Sequence, residues 1–379
     1  MEDTMTTRER SLFRCLPLLL MAANGYAGQL VITNLAARSN MVTLGWSPTT
    51  NGCIVAQSSN LRTDQFQYVG AVLSTNRTSL TNSLPSGFFR IRQVAVVDLP
   101  DPNLRWLVTN SIVTWYPPRS QVYDIDLAGI TNLAAAAASI TNATGIGWLV
   151  DLVSLDLTWN QLRALDVSGC AILRTLFCAN NSLTNLNVSG CTSLQYLSCY
   201  LNGLSALDVS GCTSLRELYC YYNQLAALNV SGCSNLQYLY CAWNVLTNAS
   251  ISNCPNLREL DYSNNALTNL NISGATNLQI LSCSYNQVTN LSVSGCPRLH
   301  TLSCVYNQLT KLSVSGCPSL SALDCEYNLL TDLSCFVSNA TAGELVGTAI
   351  YLSGNPLSQF AQTNQIPYLE SKGIYIQWP

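Results

Sequence analysis

Cysteine is the residue type whose spacing here could most readily do chemistry. The chain has 17. Seven stand in one column: Cys178, Cys199, Cys220, Cys241, Cys283, Cys304 and Cys325. Seven more stand in another: Cys170, Cys191, Cys212, Cys233, Cys254, Cys296 and Cys317. Metal binding needs ligands that converge on a point, and these are spread along a line. Disulfides need Cβ atoms about 3.8 Å apart, whereas stacked strands repeat at about 4.8 Å with parallel side chains. Both columns therefore read as buried thiols that pack as small hydrophobes. Tyr262 and Ala275 replace cysteine once in each column, so neither column is indispensable.

The other reactive residues form no constellation. His300 is the single histidine, with no Ser, Cys or Asp partner built around it. Asp156, Glu217, Glu259, Asp261, Asp324 and Glu326 fall at outward positions. Glu259 and Asp261 are close enough for a carboxylate pair, but such pairs arise by chance on a repetitive strand face. No phosphate-binding glycine motif, zinc spacing or calcium loop occurs. The sequence thus assigns no catalytic residue, no metal and no cofactor.

Aromatic residues cluster instead. Tyr196 and Tyr200 are followed by Glu217, Tyr219, Tyr221 and Tyr222, then by Tyr238, Tyr240 and Trp243. Phe177 precedes them, and Glu259 and Asp261 border them. Aromatic side chains dominate binding hot spots, and tyrosine and tryptophan also stack on sugar rings. The candidate ligand-binding residues are Tyr196, Tyr200, Glu217, Tyr219, Tyr221, Tyr238, Tyr240 and Trp243. An aromatic ladder can equally be structural, favouring β structure through cross-strand pairs. Tyr285, Tyr306 and Tyr327 extend one such column beyond the cluster.

The element that must position these residues is a 21-residue unit, clearest at Leu215–Asn235 as LRELYCYYNQLAALNVSGCSN. Nine units start at Leu152, Leu173, Leu194, Leu215, Leu236, Leu257, Leu278, Leu299 and Leu320. Position 1 below is that leucine, and the units are coils 1 to 9. L-x-x-L-x-C alternates inward and outward with the period of a strand. The second half, L-x-x-L-x-V-S-G-C, echoes the first and is too short for a full helix. It predicts a second short strand on the opposite side. Position 9 is Asn in every coil, where an amide can both donate to and accept from buried backbone of adjacent coils. Ser-Gly before the second cysteine predicts a tight turn with glycine at positive φ.

The recurring L-x-x-L-x-[C/L/Y]-x-x-N-x-[L/V] segments resemble the leucine-rich repeat family, specifically the bacterial 21-residue class called IRREKO-type. The resemblance implies a repeat solenoid: a right-handed superhelix, mostly β, with short parallel strands on two sides. It implies binding of a protein or glycan rather than catalysis. The segment Asp101-Pro102-Asn103-Leu104 is similar to the entry helix of bacterial proteins of this family.

The rest of the chain divides around the repeats. Residues 1–27 resemble a secretory signal, with Arg8, Arg10 and Arg14 ahead of the apolar run Leu16–Ala23 and a small-residue site at Gly25-Tyr26-Ala27. Residues 28–95 hold short β-type runs and predict a small all-β, sandwich-like module. Residues 96–151 predict a cap helix, with Asp101 as N-cap, and a degenerate first coil around Ile130, Leu133, Ile140 and Ile146. The repeats occupy 152–340, and a final repeat and C-terminal cap occupy 341–379. Charged residues are 10% of the chain and net charge is −3. That excludes nucleic acid as a partner, and no apolar run is long enough to span a bilayer. The expected location is secreted, cell-surface or periplasmic. The alternative to a binding protein is an adhesin-like envelope spacer.

Overall fold

The computed structural model describes residues 96–112 and 122–379, except 250, 252, 253, 273 and 274, together with six strands between 32 and 93. The signal-like segment 1–27 lies outside the described residues. The chain divides into two compact units, one made of residues 1–98 and 112–128, the other of residues 99–111 and 129–379.

In the first unit the six strands form two antiparallel three-stranded sheets. One joins Ile32–Arg38, Met41–Trp46 and Arg77–Thr81, and the other joins Gln67–Tyr68, Cys53–Ser58 and Phe88–Gln93. Val96–Val97 pairs with Val122–Tyr123.

The second unit is a parallel-strand solenoid. Twelve strands stack in one sheet, from Asn132–Ala134 at one end to Tyr375–Gln377 at the other, all parallel and in register. Each repeat strand covers positions 3 to 5 of its coil, with the leucine at position 4 pointing inward. Leu155, Leu176, Leu197, Leu218, Leu239, Leu260, Leu281, Leu302 and Leu323 are all at most 1% exposed. A 21-residue coil offers too few residues for a helix on the return path. That side carries short strands instead, paired as Ala164–Asp166 with Asn185–Asn187, Ala206–Asp208 with Ala227–Asn229, and Asn290–Ser292 with Lys311–Ser313. The two-sided β architecture expected from the sequence is present.

The ladder of asparagines closes each coil. Asn202 shows the pattern: its Nδ2 donates to the Cys178 and Cys199 carbonyls, each at 3.1 Å, and its Oδ1 accepts from Leu183 N–H at 2.9 Å. The bonds recur from Asn160 through Asn328, and Asn355 adds one more rung. Each amide satisfies buried backbone in two coils, groups that would cost about 1–3 kcal/mol apiece if left unpaired.

The turn chemistry differs from the Ser-Gly expectation. Gly190, Gly295 and Gly316 do have positive φ, but Gly169 and Gly232 do not. There glycine is needed for close approach: a Cβ on Gly232 would lie 1.8 Å from the Ser210 carbonyl oxygen. The left-handed residue common to every coil is position 8: Trp159, Asn180, Leu201, Tyr222, Trp243, Asn264, Tyr285, Tyr306 and Tyr327, with φ between 51° and 59°. This conformation bends the chain out of the strand immediately before the ladder asparagine.

Both ends of the solenoid are covered. At the first, Pro102–Ser111 is helical and buries Leu104 and Val108. Asp101, itself 4% exposed, accepts from Asn103 and Leu104 N–H with one oxygen and from Thr141 and Asn142 with the other. Burial pushes its carboxyl up, but these hydrogen bonds outweigh it and hold the pKa below the ordinary value. At the other end, helix Ser334–Thr341 replaces the return strand of coil 9. Helix Ile366–Ser371 and strand Tyr375–Gln377 follow.

Candidate functional site

Outward positions 3, 5 and 7 of the long sheet make one continuous face, and the in-register stacking decides which of their side chains meet. Position 5 gives Phe177, Tyr219 and Tyr240; position 3 gives Tyr196, Glu217, Tyr238 and Glu259; position 7 gives Tyr200 and Tyr221. Tyr196 sits between Phe177 and Tyr219, with ring centroids 5.0 and 5.3 Å away. Tyr219 stacks on Tyr240 at 5.1 Å with planes 8° apart. Tyr200 stacks on Tyr221 at 4.5 Å and 7°. Tyr221 meets Tyr222 edge-on at 5.9 Å, and Tyr222 stacks on Trp243 at 5.3 Å. Strands about 4.8 Å apart leave aromatic neighbours little choice but to stack.

The eight candidate residues therefore split into two connected strips and a flank. Tyr196, Tyr219 and Tyr240 form one strip with Phe177. Tyr200, Tyr221 and Trp243 join the other through Tyr222. Tyr238 pairs in register between Glu217 and Glu259 and takes part in neither stack. Tyr196, Tyr200, Tyr219, Tyr221 and Tyr240 are half-buried, because each covers its neighbour; Tyr222 and Trp243 are 44% and 50% exposed.

The two glutamates are tied to the rings. Tyr219 hydroxyl donates to Glu217 at 2.9 Å, and Tyr240 hydroxyl donates to Glu259. Burial, the hydrogen bond and the carboxylate charge together push both phenols far above their usual range, in that order of importance. Burial and Glu217 likewise raise Tyr196. These phenols stay protonated donors near neutral pH. Neither the glutamate–hydroxyl bonds nor the left-handed position 8 was visible in the sequence.

The remaining reactive groups sit as follows. Every cysteine of both columns is at most 2% exposed. Second-column thiols donate to carbonyls of a neighbouring coil, as Cys191 does to Val167 and Cys233 to Val209, both at 3.2 Å. Burial pushes Cys199, Cys212 and Cys233 up to about 12, so the nucleophilic thiolate is scarce. His300 bonds through its backbone, donating to the Gln279 carbonyl and accepting from Ser321 N–H and hydroxyl and from Ala322 N–H. Among the described residues no three His, Cys, Asp or Glu side chains group as metal ligands. An open groove of about 860 Å³ lies on the return side, lined by residues between Asn269 and Cys335 that include Leu270, Leu291 and Leu312.

The parallel-strand solenoid matches the fold of leucine-rich-repeat proteins. No protein-family model and no curated protein matches the sequence. Among solved structures, it is similar to the functional domain of InlJ from Listeria monocytogenes, described as including a cysteine ladder. The two are 31% identical with a TM-score of 0.59, over 74% of this chain and 59% of that one. This chain thus spans well under two thirds of that domain. The internalin InlF from Listeria monocytogenes is 21% identical with a TM-score of 0.43, over 74% of this chain and 96% of that one. The LRR protein LIC12759 of Leptospira interrogans is 22% identical with a TM-score of 0.36, over 63% and 81%.

Proposed function

We propose that this chain is an exported, non-catalytic leucine-rich-repeat protein of the 21-residue IRREKO type that recognises a protein partner through its long parallel sheet. The observation that carries the reading is the stacked aromatic patch from Phe177 to Trp243 on an open sheet face. Stacking holds the rings rigid, so little side-chain entropy is lost on binding. The Tyr219–Tyr240 and Tyr200–Tyr221 stacks occupy the ring faces a sugar would need, which favours a protein over a glycan. Export rests on the arginines and apolar run of residues 1–27. Among the described residues no helix is long and apolar enough to cross a membrane.

The test is capture of cell-surface proteins, beside a glycan array, with the full chain and with a Tyr219→Ser, Tyr221→Ser, Tyr240→Ser variant. A specific protein is expected to bind the parent and to lose roughly a hundredfold or more in affinity on the triple change. Thermal unfolding of the variant verifies that its solenoid persists. Undiminished binding by the folded variant rules the patch out, and a spacer would enrich no partner at all.

A further inference from the structure

The outward face of the long sheet has a charge pattern that the aromatic patch does not require. Across positions 3, 5, 7 and 8 of all nine coils there are six carboxylates and no Lys, Arg or His. The chain as a whole is only −3, so negative charge is concentrated here. The nearby arginines Arg174, Arg216 and Arg258 stand at position 2, ahead of the strand, and are exposed.

The carboxylates are half-buried, and none of them forms an ion pair among the described residues. Glu217 and Glu259 accept from tyrosine hydroxyls. Asp156, Asp261 and Asp324 each accept from the backbone N–H two residues on. Burial raises Asp324, and neighbouring Glu326 adds to the rise against one backbone hydrogen bond. Like charges gathered on one face without counter-charge raise the free energy of the isolated protein, and an oppositely charged partner relieves it.

Resting on the reading of this sheet as the binding face, we infer that its partner presents a basic, extended polypeptide segment across coils 3 to 6. Glu217 and Glu259 lie two strands apart, about 10 Å, each fixed by its tyrosine with an oxygen left to accept. Asp261 adds a third acceptor beside Glu259 in the same strand. Lys or Arg side chains can lay their methylene stems along the tyrosine strip and set their charged heads against these carboxylates.

Fluorescence anisotropy of the full chain with a labelled alternating Arg-Gly peptide tests this, with an alternating Glu-Gly peptide as its opposite. The Arg-Gly peptide is expected to bind and to weaken as salt rises. Its affinity is expected to fall roughly tenfold or more in a Glu217→Gln, Glu259→Gln, Asp261→Asn variant and to hold in Glu370→Gln, which alters an exposed carboxylate elsewhere. These isosteric changes preserve the side-chain shapes, and circular dichroism checks the fold. Equal binding of both peptides, no binding of either, or full binding by the neutralised variant overturns the inference. A captured protein or glycan that needs the tyrosines but tolerates the neutralised variant also overturns it, while leaving the sheet as the binding face. A partner indifferent to the tyrosines removes the face itself.

Discussion

Single residues in this solenoid are defined by their place in a coil. Asn223 is buried because its amide pairs with the Cys199 and Cys220 carbonyls and with Leu204 N–H. Position 8 is the opposite case, a site whose backbone demand is poorly matched by its residue. Leu201 adopts φ 52° with a side chain 42% exposed. The left-handed region costs an ordinary L-residue about 1–2 kcal/mol, and asparagine tolerates it best after glycine. Asn180 and Asn264 already occupy the same place. Leu201→Asn is expected to stabilise the fold by about 0.5–1 kcal/mol, whereas β-branched Leu201→Val is expected to destabilise it. Denaturant midpoints decide this, and a Val variant as stable as the Asn variant would contradict the strain argument.

At the scale of the element, the cysteine columns make stability depend on pH. Burial raises the folded-state thiols from 9.0 to about 11 for Cys191 and Cys254 and about 12 for Cys199, Cys212 and Cys233. Raised pKa values mean that the fold binds these protons more tightly than the unfolded chain. Their contribution is complete below pH 9.0 and is lost as pH climbs towards 12. Each thiol adds a slope of up to about 1.4 kcal/mol per pH unit in that window, and the columns act together. The denaturant midpoint is expected to be level from pH 7 to 8 and to drop steeply above 9. Replacing Cys199 and Cys220 with Ala, each a smaller apolar residue, should make that drop shallower. Thiol titration of denatured, unreduced protein is the companion measurement, and near-absence of free thiols would sink this account.

At the scale of the molecule, each coil is stable only because another covers it. Leu323 and Cys325 of coil 9 are fully buried beneath the following strand Ala349–Tyr351. Removing residues 341–379 is expected to lower the thermal midpoint and cause aggregation, because it bares this apolar layer and an unpaired strand edge. Size-exclusion chromatography and a thermal scan check it. A truncated chain that remains monomeric at an unchanged midpoint would show that coil 9 needs no cover.

Much of this arrangement was legible in the repeat alone. Strict spacing of Leu, Cys and Asn fixes which side of each strand is buried, because inward and outward alternate with period two. It also excludes a return helix wherever the coil keeps 21 residues, since the second half is then too short for one; the longer coil 9 holds helix Ser334–Thr341 instead. Identical period in successive coils then sets the register, which put Leu218 beside Leu197 and Leu239. What the spacing could not state was conformation and contact. That position 8 is left-handed follows from closing the coil onto its neighbour, a demand met by Tyr, Trp, Leu and Asn alike and so written in no residue type. The candidate site is similar: the sequence names its aromatics. Only the strand separation decides that Tyr219 stacks on Tyr240 and that the Tyr240 hydroxyl reaches Glu259 in the next strand. A side chain's neighbour across a sheet is set by the spacing of whole coils, and that distance exists only once the solenoid has closed.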